Sequence, residues 1–426
     1  MKKLVGFLFN PIIRLFLAIS SIVFILFVFA RGTFAQNANI DESIASIRKG
    51  ELVVKANPGD KVSIEQLSHE FWFGCCIGSQ IFEGKLPEND IIQYKKLFLK
   101  NFNSAVTENA MKWMKMEPQK GQINYSTVDA ILQWTKENHI PIRGHNIFWG
   151  IPQFVQSWVK DLDDNELKQE LQKRAITITS RYKGQFAEYD LNNEMVHGNY
   201  YEGRLGPEIT KLMAQWARSG DPDANFYLND YDILTGNKLA EYMAQIRMFI
   251  KQGIPIAGIG VQGHSHSETF DRQQLKNALD SLAVFNLPVR ITEFNMPGQK
   301  SKYYAKKGLR LSSEQEELKA KELVDFYSIC FAHPSVEGIL MWGFWEACNW
   351  IPASSLYKRD WTPTPAAKAY QNLIFNKWWT KTSGIIGDDE IFSTKAFYGK
   401  YKVTVNGVSK EVDLTKKTGK TLIDFY

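Results

Sequence analysis

Short apolar runs alternate with longer amphipathic stretches along most of this chain. The short runs are Phe71–Gly78, Phe102–Val106, Ile140–His145, Phe186–Asn192, Asn225–Leu228, Ala257–Val261, Val289–Thr292 and Gly338–Trp342. Their length and continuous apolarity predict strands buried on both faces. Between them Ile91–Lys100, Thr127–Asn138, Asn165–Tyr182, Lys238–Gln252, Asp271–Leu282, Ser313–Phe331 and Ala366–Phe375 are predicted as helices. In the third of these, Leu167, Leu171, Ala175 and Ile178 share one face at helical spacing. Eight strands alternating with helices imply a parallel sheet, and closure into a (β/α)8 TIM barrel is the natural solution. A doubly wound open sheet is the competing arrangement. The count of eight and the absence of a glycine-rich phosphate fingerprint argue against it.

The barrel is expected over residues 71–380, with short β additions on both flanks. Residues 36–70 form a β lead-in whose segment GELVVKANPGDKVSIEQ resembles a hairpin. Residues 381–426 are expected as a C-terminal β-hairpin extension, because GKYKVTVNGVSKEVDL alternates on either side of Asn406-Gly407. A small carbohydrate-binding appendage is the alternative for this tail. Ahead of both, Lys2, Lys3 and Arg14 precede an uncharged apolar run from Leu15 to Ala30, followed by Thr33-Phe34-Ala35. This reads as a secretory signal peptide over residues 1–35, cleaved after about Ala35. The competing reading is an uncleaved membrane anchor, although the run falls short of the roughly 18 residues a spanning helix needs. Either way the rest of the chain is expected to be secreted or extracytoplasmic, with membrane contact only if the segment stays.

Composition narrows the class. The 426 residues are 44% hydrophobic and 23% charged, which excludes a disordered or fibrous chain. The net charge of +5 comes without a dense Lys/Arg block interleaved with aromatics, so no nucleic-acid partner is expected. Twelve Trp and 17 Tyr supply flat faces, most of them for the core and a minority for a sugar groove. Cys75, Cys76, Cys330 and Cys348 show neither metal spacing nor a disulfide framework, and are expected as free or buried thiols. His264 and His266 lack further ligands at zinc spacing, so neither metal nor cofactor is expected. His69, His139 and His333 are expected to be surface or structural residues.

In a barrel of this kind, chemistry belongs at the C-terminal ends of the strands. The second strand ends in TENAMKW, with Glu108, Asn109 and Lys112. The third ends in RGHNIFW, with His145 and Trp149; the fourth in YDLNNE, with Asn193 and Glu194; the seventh in ITEFN, with Glu293. The fourth and seventh strands lie roughly opposite across a barrel mouth, which is the pairing of carboxylates that glycoside hydrolysis uses. A single glutamate of this set could as well be a salt-bridge partner; the joint placement is what carries weight.

These blocks resemble glycoside hydrolase family 10, the barrel endo-β-1,4-xylanases, and within it the branch described in plants and also found in bacteria. FNSAVTENAMKWMKMEPQKGQINYSTVD, RGHNIFW, DLNNEMVHGNYYEGRLG, NDY, GIGVQGH, ITEFN and EGILMWGFW follow in the family's order over about residues 45–380. The resemblance implies a retaining endo-xylanase acting on xylan or xylo-oligosaccharides. It makes Glu194 the acid/base and Glu293 the nucleophile, about 5–5.5 Å apart. It places Asn193 and His145 on the reacting sugar, and Glu108, Asn109 and Lys112 on the next sugar toward the non-reducing end. His264 should bond Glu293, and Gln262 should sit near Glu194. Trp342 and Trp350 should wall the reacting subsites and Trp149 should sit beneath the reacting sugar, with Asn229 and Tyr231 on the leaving-group side. The chain departs from the common pattern at GIPQFVQSW after Trp149, at SHSETF after His264, and at GFWEACNW, where Glu346 would meet a xylan substituent or be a solvated charge. A β-1,4-glucanase or mixed-substrate hydrolase with the same chemistry is the alternative. A non-catalytic sugar-binding barrel is disfavoured by the two intact glutamates.

Overall fold

The computed structural model describes residues 39–426. The expected signal or anchor segment, residues 1–35, lies outside the described residues. A helix over residues 39–48 leads into β1 (Lys49–Lys55) and β2 (Lys61–His69), after which the chain enters the barrel. The barrel strands are β3 (Trp72–Ile77), β4 (Ser104–Thr107), β5 (Ile142–Gly144) with its continuation β6 (Phe148–Trp149), β7 (Glu188–Asn193), β8 (Phe226–Asp230), β9 (Ile256–Val261), β10 (Val289–Phe294) and β11 (Val336–Met341). Neighbours are parallel, and Arg143 and Gly144 of β5 pair with Glu188 and Tyr189 of β7 to close the ring. All eight expected strand positions are strands, and the fold is the (β/α)8 barrel.

The seven expected helices are present, within a few residues at each end. Their ends carry local signals: Asp163 and Glu166 form a reciprocal cap on Asp164–Arg181, and Ser312 and Gln315 do the same on Ser313–Phe331. Of the longer helices, the expected set omits the one over residues 39–48, within the expected β lead-in, and Ile209–Gly220, between β7 and β8. The buried face of the latter is Ile209, Thr210, Met213, Ala214, Ala217 and Gly220. These positions recur at helical spacing, so this helix is legible in the sequence itself.

The barrel interior contains buried charge. Arg143 Nη1 lies 2.5 Å from Glu188 Oε1 and also pairs with Asp190, while Arg290 Nη2 lies 2.9 Å from Glu188 Oε2. Burial would push both carboxylates up, but Arg290 and Arg143 outweigh it at Glu188, and Arg143 with His145 outweighs it at Asp190, so both are held below the usual carboxylate range. The Arg290 guanidinium also covers the Trp72 ring at 4.0 Å.

The flanks differ from the expected pair of separate hairpins. Residues after the barrel form β12 (Lys381–Ile385), β13 (Ile391–Phe397), β14 (Gly399–Val405), β15 (Val408–Leu414) and β16 (Lys420–Asp424). The hairpin expected within residues 36–70 does not form: β1 lies in a sheet ordered β13-β1-β16, and β2 in another ordered β12-β2-β14-β15. Tail strands occupy both edges of β1, so no edge remains for β2. The Asn406-Gly407 turn does join β14 to β15, with positive φ at both residues and Val405 opposite Val408. The two sheets enclose a core of their own, including Leu52, Val54, Ile64, Tyr401, Val403 and Leu414.

Candidate active site

Both strands that lead to the carboxylates carry a bulge. Asp190 pairs with Tyr227 and Asn193 with Asn229, so β7 takes three steps where β8 takes two. Ile291 pairs with Ile339 and Phe294 with Met341, which gives β10 the same extra residue against β11. An extra residue resets the alternation of side chains. Consecutive residues can then reach one side, as Thr292 and Glu293 do within the β10 bulge, whereas Glu194 lies beyond the β7 bulge and is turned by its own backbone. Glu194 follows β7 directly at φ 59, with its N–H donating to the Asn229 carbonyl at 2.8 Å. A left-handed non-glycine residue costs roughly 1–3 kcal/mol, so the surrounding structure must hold it there.

The two glutamates occupy contrasting surroundings. Glu194 accepts from Gln262 Nε2 at one oxygen and from Trp149 Nε1 at the other, both at 2.8 Å. Burial, and next the charge of Glu293, push its carboxyl up to about 7. Burial would push Glu293 up as well, but His264 Nε2 at 3.2 Å and the nearby His145 and Lys112 hold it below the usual range. One carboxyl is thus kept protonated near neutral pH and the other ionised.

Asn229 ties the halves together. Its Nδ2 donates to Asn193 Oδ1 and to Glu293 Oε1, each at 3.0 Å, and its Oδ1 accepts from Thr292 Oγ1 at 2.6 Å. It was expected on the leaving-group side and instead bridges β7 and β10. Asn193 Nδ2 remains buried without a partner, as does His264 Nδ1. An unpaired buried donor costs about 1–3 kcal/mol, which a substrate hydroxyl would recover.

The other expected residues surround this pair. His145 Nδ1 lies 2.8 Å from Asp190 Oδ2, and its ring meets Trp342 edge-on at 5.2 Å. Lys112 donates to Asn109 Oδ1 at 3.1 Å, with its ammonium 4.6 Å from the Trp149 ring centre. Glu108 is buried, and burial pushes it up to about 7 against the opposing charge of Lys112. Trp350 packs on His264 at 4.9 Å. Tyr231 stacks on His197 at 3.6 Å and 14°.

Four supporting residues escaped the sequence reading. Asp190 grips His145 and is itself held by Arg143. Asp230 accepts from His197 Nδ1 at 2.7 Å, from the Val196 amide at 2.8 Å and from the Tyr231 amide at 2.9 Å. Phe154, in the divergent loop after Trp149, stacks under that ring at 4.0 Å. A signal existed for Asp190 and Asp230, since each is a charge inside an otherwise strand-like run. None existed for His197 or Phe154. Glu346 fits neither expected role: it accepts from the Arg359 amide at 2.8 Å and pairs with Arg310 at 2.7 Å, closing its own loop. His69 is a buried structural residue between Gln66 and the Ile374 carbonyl. Cys75, Cys76 and Cys330 are buried thiols. Among the described residues no group of three His, Cys, Asp or Glu side chains is placed to hold a metal ion.

Residues 64–373 match the family model for glycosyl hydrolase family 10. The anti-sigma-I factor RsgI6 of Acetivibrio thermocellus is 33% identical over 86% of this chain and 46% of its own length. Endo-1,4-beta-xylanase 1 of Arabidopsis thaliana is 32% identical over 89% of this chain and 38% of its own length. The chain therefore spans less than half the length of these relatives. Among solved structures, xylanase 10B of Thermotoga petrophila, in complex with xylobiose, superposes with a TM-score of 0.64 at 22% identity, covering 72% of this chain and 95% of that one. An endoxylanase from a sugarcane soil metagenome gives 0.63 at 23% identity, covering 71% and 97%. At such identities the likeness establishes the barrel fold.

Proposed function

Because the chain belongs to glycosyl hydrolase family 10, we propose that it is an endo-β-1,4-xylanase cutting internal xylosidic bonds of xylan with retention of configuration. The observation that carries this reading is the divergence of the two carboxyls: Glu194 pushed up to about 7 and Glu293 held down. In the first step the Glu293 carboxylate attacks the anomeric carbon while Glu194 gives its proton to the leaving oxygen. Bond formation neutralises Glu293, which removes part of what raised Glu194. Glu194 then takes a proton from water as that water opens the glycosyl-enzyme.

The surrounding residues divide the remaining work. Asn193 offers its free Nδ2 to the 2-hydroxyl of the reacting sugar, and His145 binds the same unit. Glu108, Asn109 and Lys112 hold the next sugar toward the non-reducing end, with Trp342 and Trp350 as walls and Trp149 beneath the reacting sugar. Gln262 orients Glu194. His264 and Asn229 orient Glu293 and favour its ionised form. Tyr231 lies on the leaving-group side. The apolar segment before Ala35 acts as an export signal, which the mass of the secreted protein would test.

The direct test follows new reducing ends on xylan and on carboxymethyl cellulose. Xylan cleavage that disappears in Glu293→Ala is expected; full activity in that variant would sink the assignment, and comparable rates on both polymers would widen the substrate class.

A further inference from the structure

The turn that presents Glu194 is fastened to the end of β8. The Glu194 carbonyl accepts from the His197 amide at 3.0 Å and from the Gly198 amide at 2.8 Å, which folds the turn on itself. Asp230, the last residue of β8, grips that turn from the neighbouring strand. Its Oδ2 accepts from the Val196 amide, and its Oδ1 from His197 Nδ1 and the Tyr231 amide. The Asp230 carbonyl accepts from the Gln262 amide at 2.9 Å, and Gln262 Nε2 donates to Glu194 Oε1. Asp230 thus holds both segments that aim the Glu194 carboxyl.

A buried carboxylate is a costly way to make these bonds. Asp230 is 0% exposed, and a neutral amide in its place would accept the same N–H groups with less desolvation. Burial pushes Asp230 up, and the bond from His197 opposes this most. The charge so retained acts on the acid. Burial and Glu293 of β10 come first in raising Glu194, and the charge of Asp230 adds to them. His197 is built to hold Asp230 rather than to meet substrate. Its ring lies flat on Tyr231 and is 14% exposed, so the stack fixes the ring plane and with it the direction of Nδ1.

We infer that His197 and Asp230 are positioning residues for the acid/base: His197 anchors Asp230, and Asp230 holds the turn that aims Glu194 at the leaving oxygen. The inference rests on the xylanase reading above and gives neither residue a contact with sugar.

The test compares kcat/KM of the full chain on phenyl and dinitrophenyl β-xylobiosides. Dinitrophenolate departs without a proton, whereas the phenyl group draws on a correctly aimed acid. His197→Phe keeps a ring against Tyr231 and removes the donor; Asp230→Asn removes the charge. Each should lower the phenyl-to-dinitrophenyl ratio by about tenfold, part of the roughly hundredfold or more that a placed acid supplies. His197→Asn, whose amide can stand in for Nδ1, should recover most of the ratio. In Asp230→Asn the falling limb of the phenyl profile should also move to lower pH, because a negative charge near Glu194 is gone. The dinitrophenyl rate of the same preparation reports that each variant is folded. Equal losses on both substrates would show a merely structural role and overturn the inference, as would an unchanged ratio in both His197→Phe and Asp230→Asn. No cleavage of either substrate by the unaltered chain overturns the xylanase reading instead.

Discussion

At the scale of single residues, the site depends on what each carboxyl's neighbours do to its proton. The rate on xylan should rise with pH as Glu293 ionises, below the usual carboxylate range, and fall as Glu194 loses its proton near 7. The hydrogen bond from Gln262 favours the ionised form of Glu194. Gln262→Ala should therefore raise the Glu194 pKa and move the falling limb of the kcat/KM profile to higher pH. The same reasoning for His264→Ala moves the rising limb upward, because Glu293 loses the partner that holds it down. Limbs unmoved by either change would disconnect these carboxyls from the rate. Asn229 acts on aim more than on charge. Asn229→Ala frees Glu293, Asn193 and Thr292 together, and misplacement of that order costs on the order of a hundredfold in kcat. Single-turnover rates on a xylo-oligosaccharide would measure it.

At the scale of elements, β7 and β10 earn their place through irregularity. A regular strand would send Thr292 and Glu293 to opposite sides; the extra residue in β10 lets both reach Asn229, and past the end of β7 the left-handed backbone of Glu194 turns its side chain. Below the bulges β7 carries Glu188 and Asp190 and β10 carries Arg290, which together with Arg143 of β5 form an ionic layer. Removing one partner leaves a buried charge uncompensated, at a cost of about 3–5 kcal/mol. Arg143→Met should lower the unfolding free energy by that amount. It should also weaken the grip of Asp190 on His145, so that activity falls even where the protein remains folded. Denaturant unfolding alongside kcat on xylan separates the two effects. A drop in stability with unchanged kcat would confine the layer to a structural role.

At the scale of the whole molecule, the first and last segments of the described chain are interdependent. β1 and β2 find their partners only among β12–β16, and the core between the two sheets draws side chains from both segments. Deleting residues 381–426 would leave both strands with open edges and expose Leu52, Val54 and Ile64. The truncated protein is expected to aggregate or to unfold at lower temperature than the full chain. Thermal unfolding by circular dichroism checks this, and an unchanged midpoint would show that the barrel does not depend on its flank.

What the sequence determined by itself was whatever rests on local pattern. Continuous apolar runs marked the eight strands, since a strand buried on both faces has no polar side to show. Charged and amide groups at the strand ends marked Glu194, Glu293, Asn193 and His145, because such groups are conspicuous beside apolar runs, and the family resemblance added His264. Asn406-Gly407 marked its turn, since few other pairs accept that backbone. Everything that depends on partners distant in the chain was decided only by the tertiary structure. β1 and β2 read as a hairpin until strands more than 300 residues further on claimed their edges. The bulges behind the glutamates exist only as a register between neighbours. The hold of Asp190 on His145 and of Asp230 on His197 joins residues 45 and 33 positions apart, and no spacing along one segment encodes either pairing. The two glutamates were visible as residues; their opposite protonation was not, because it follows from burial and from the charges that folding brings beside them.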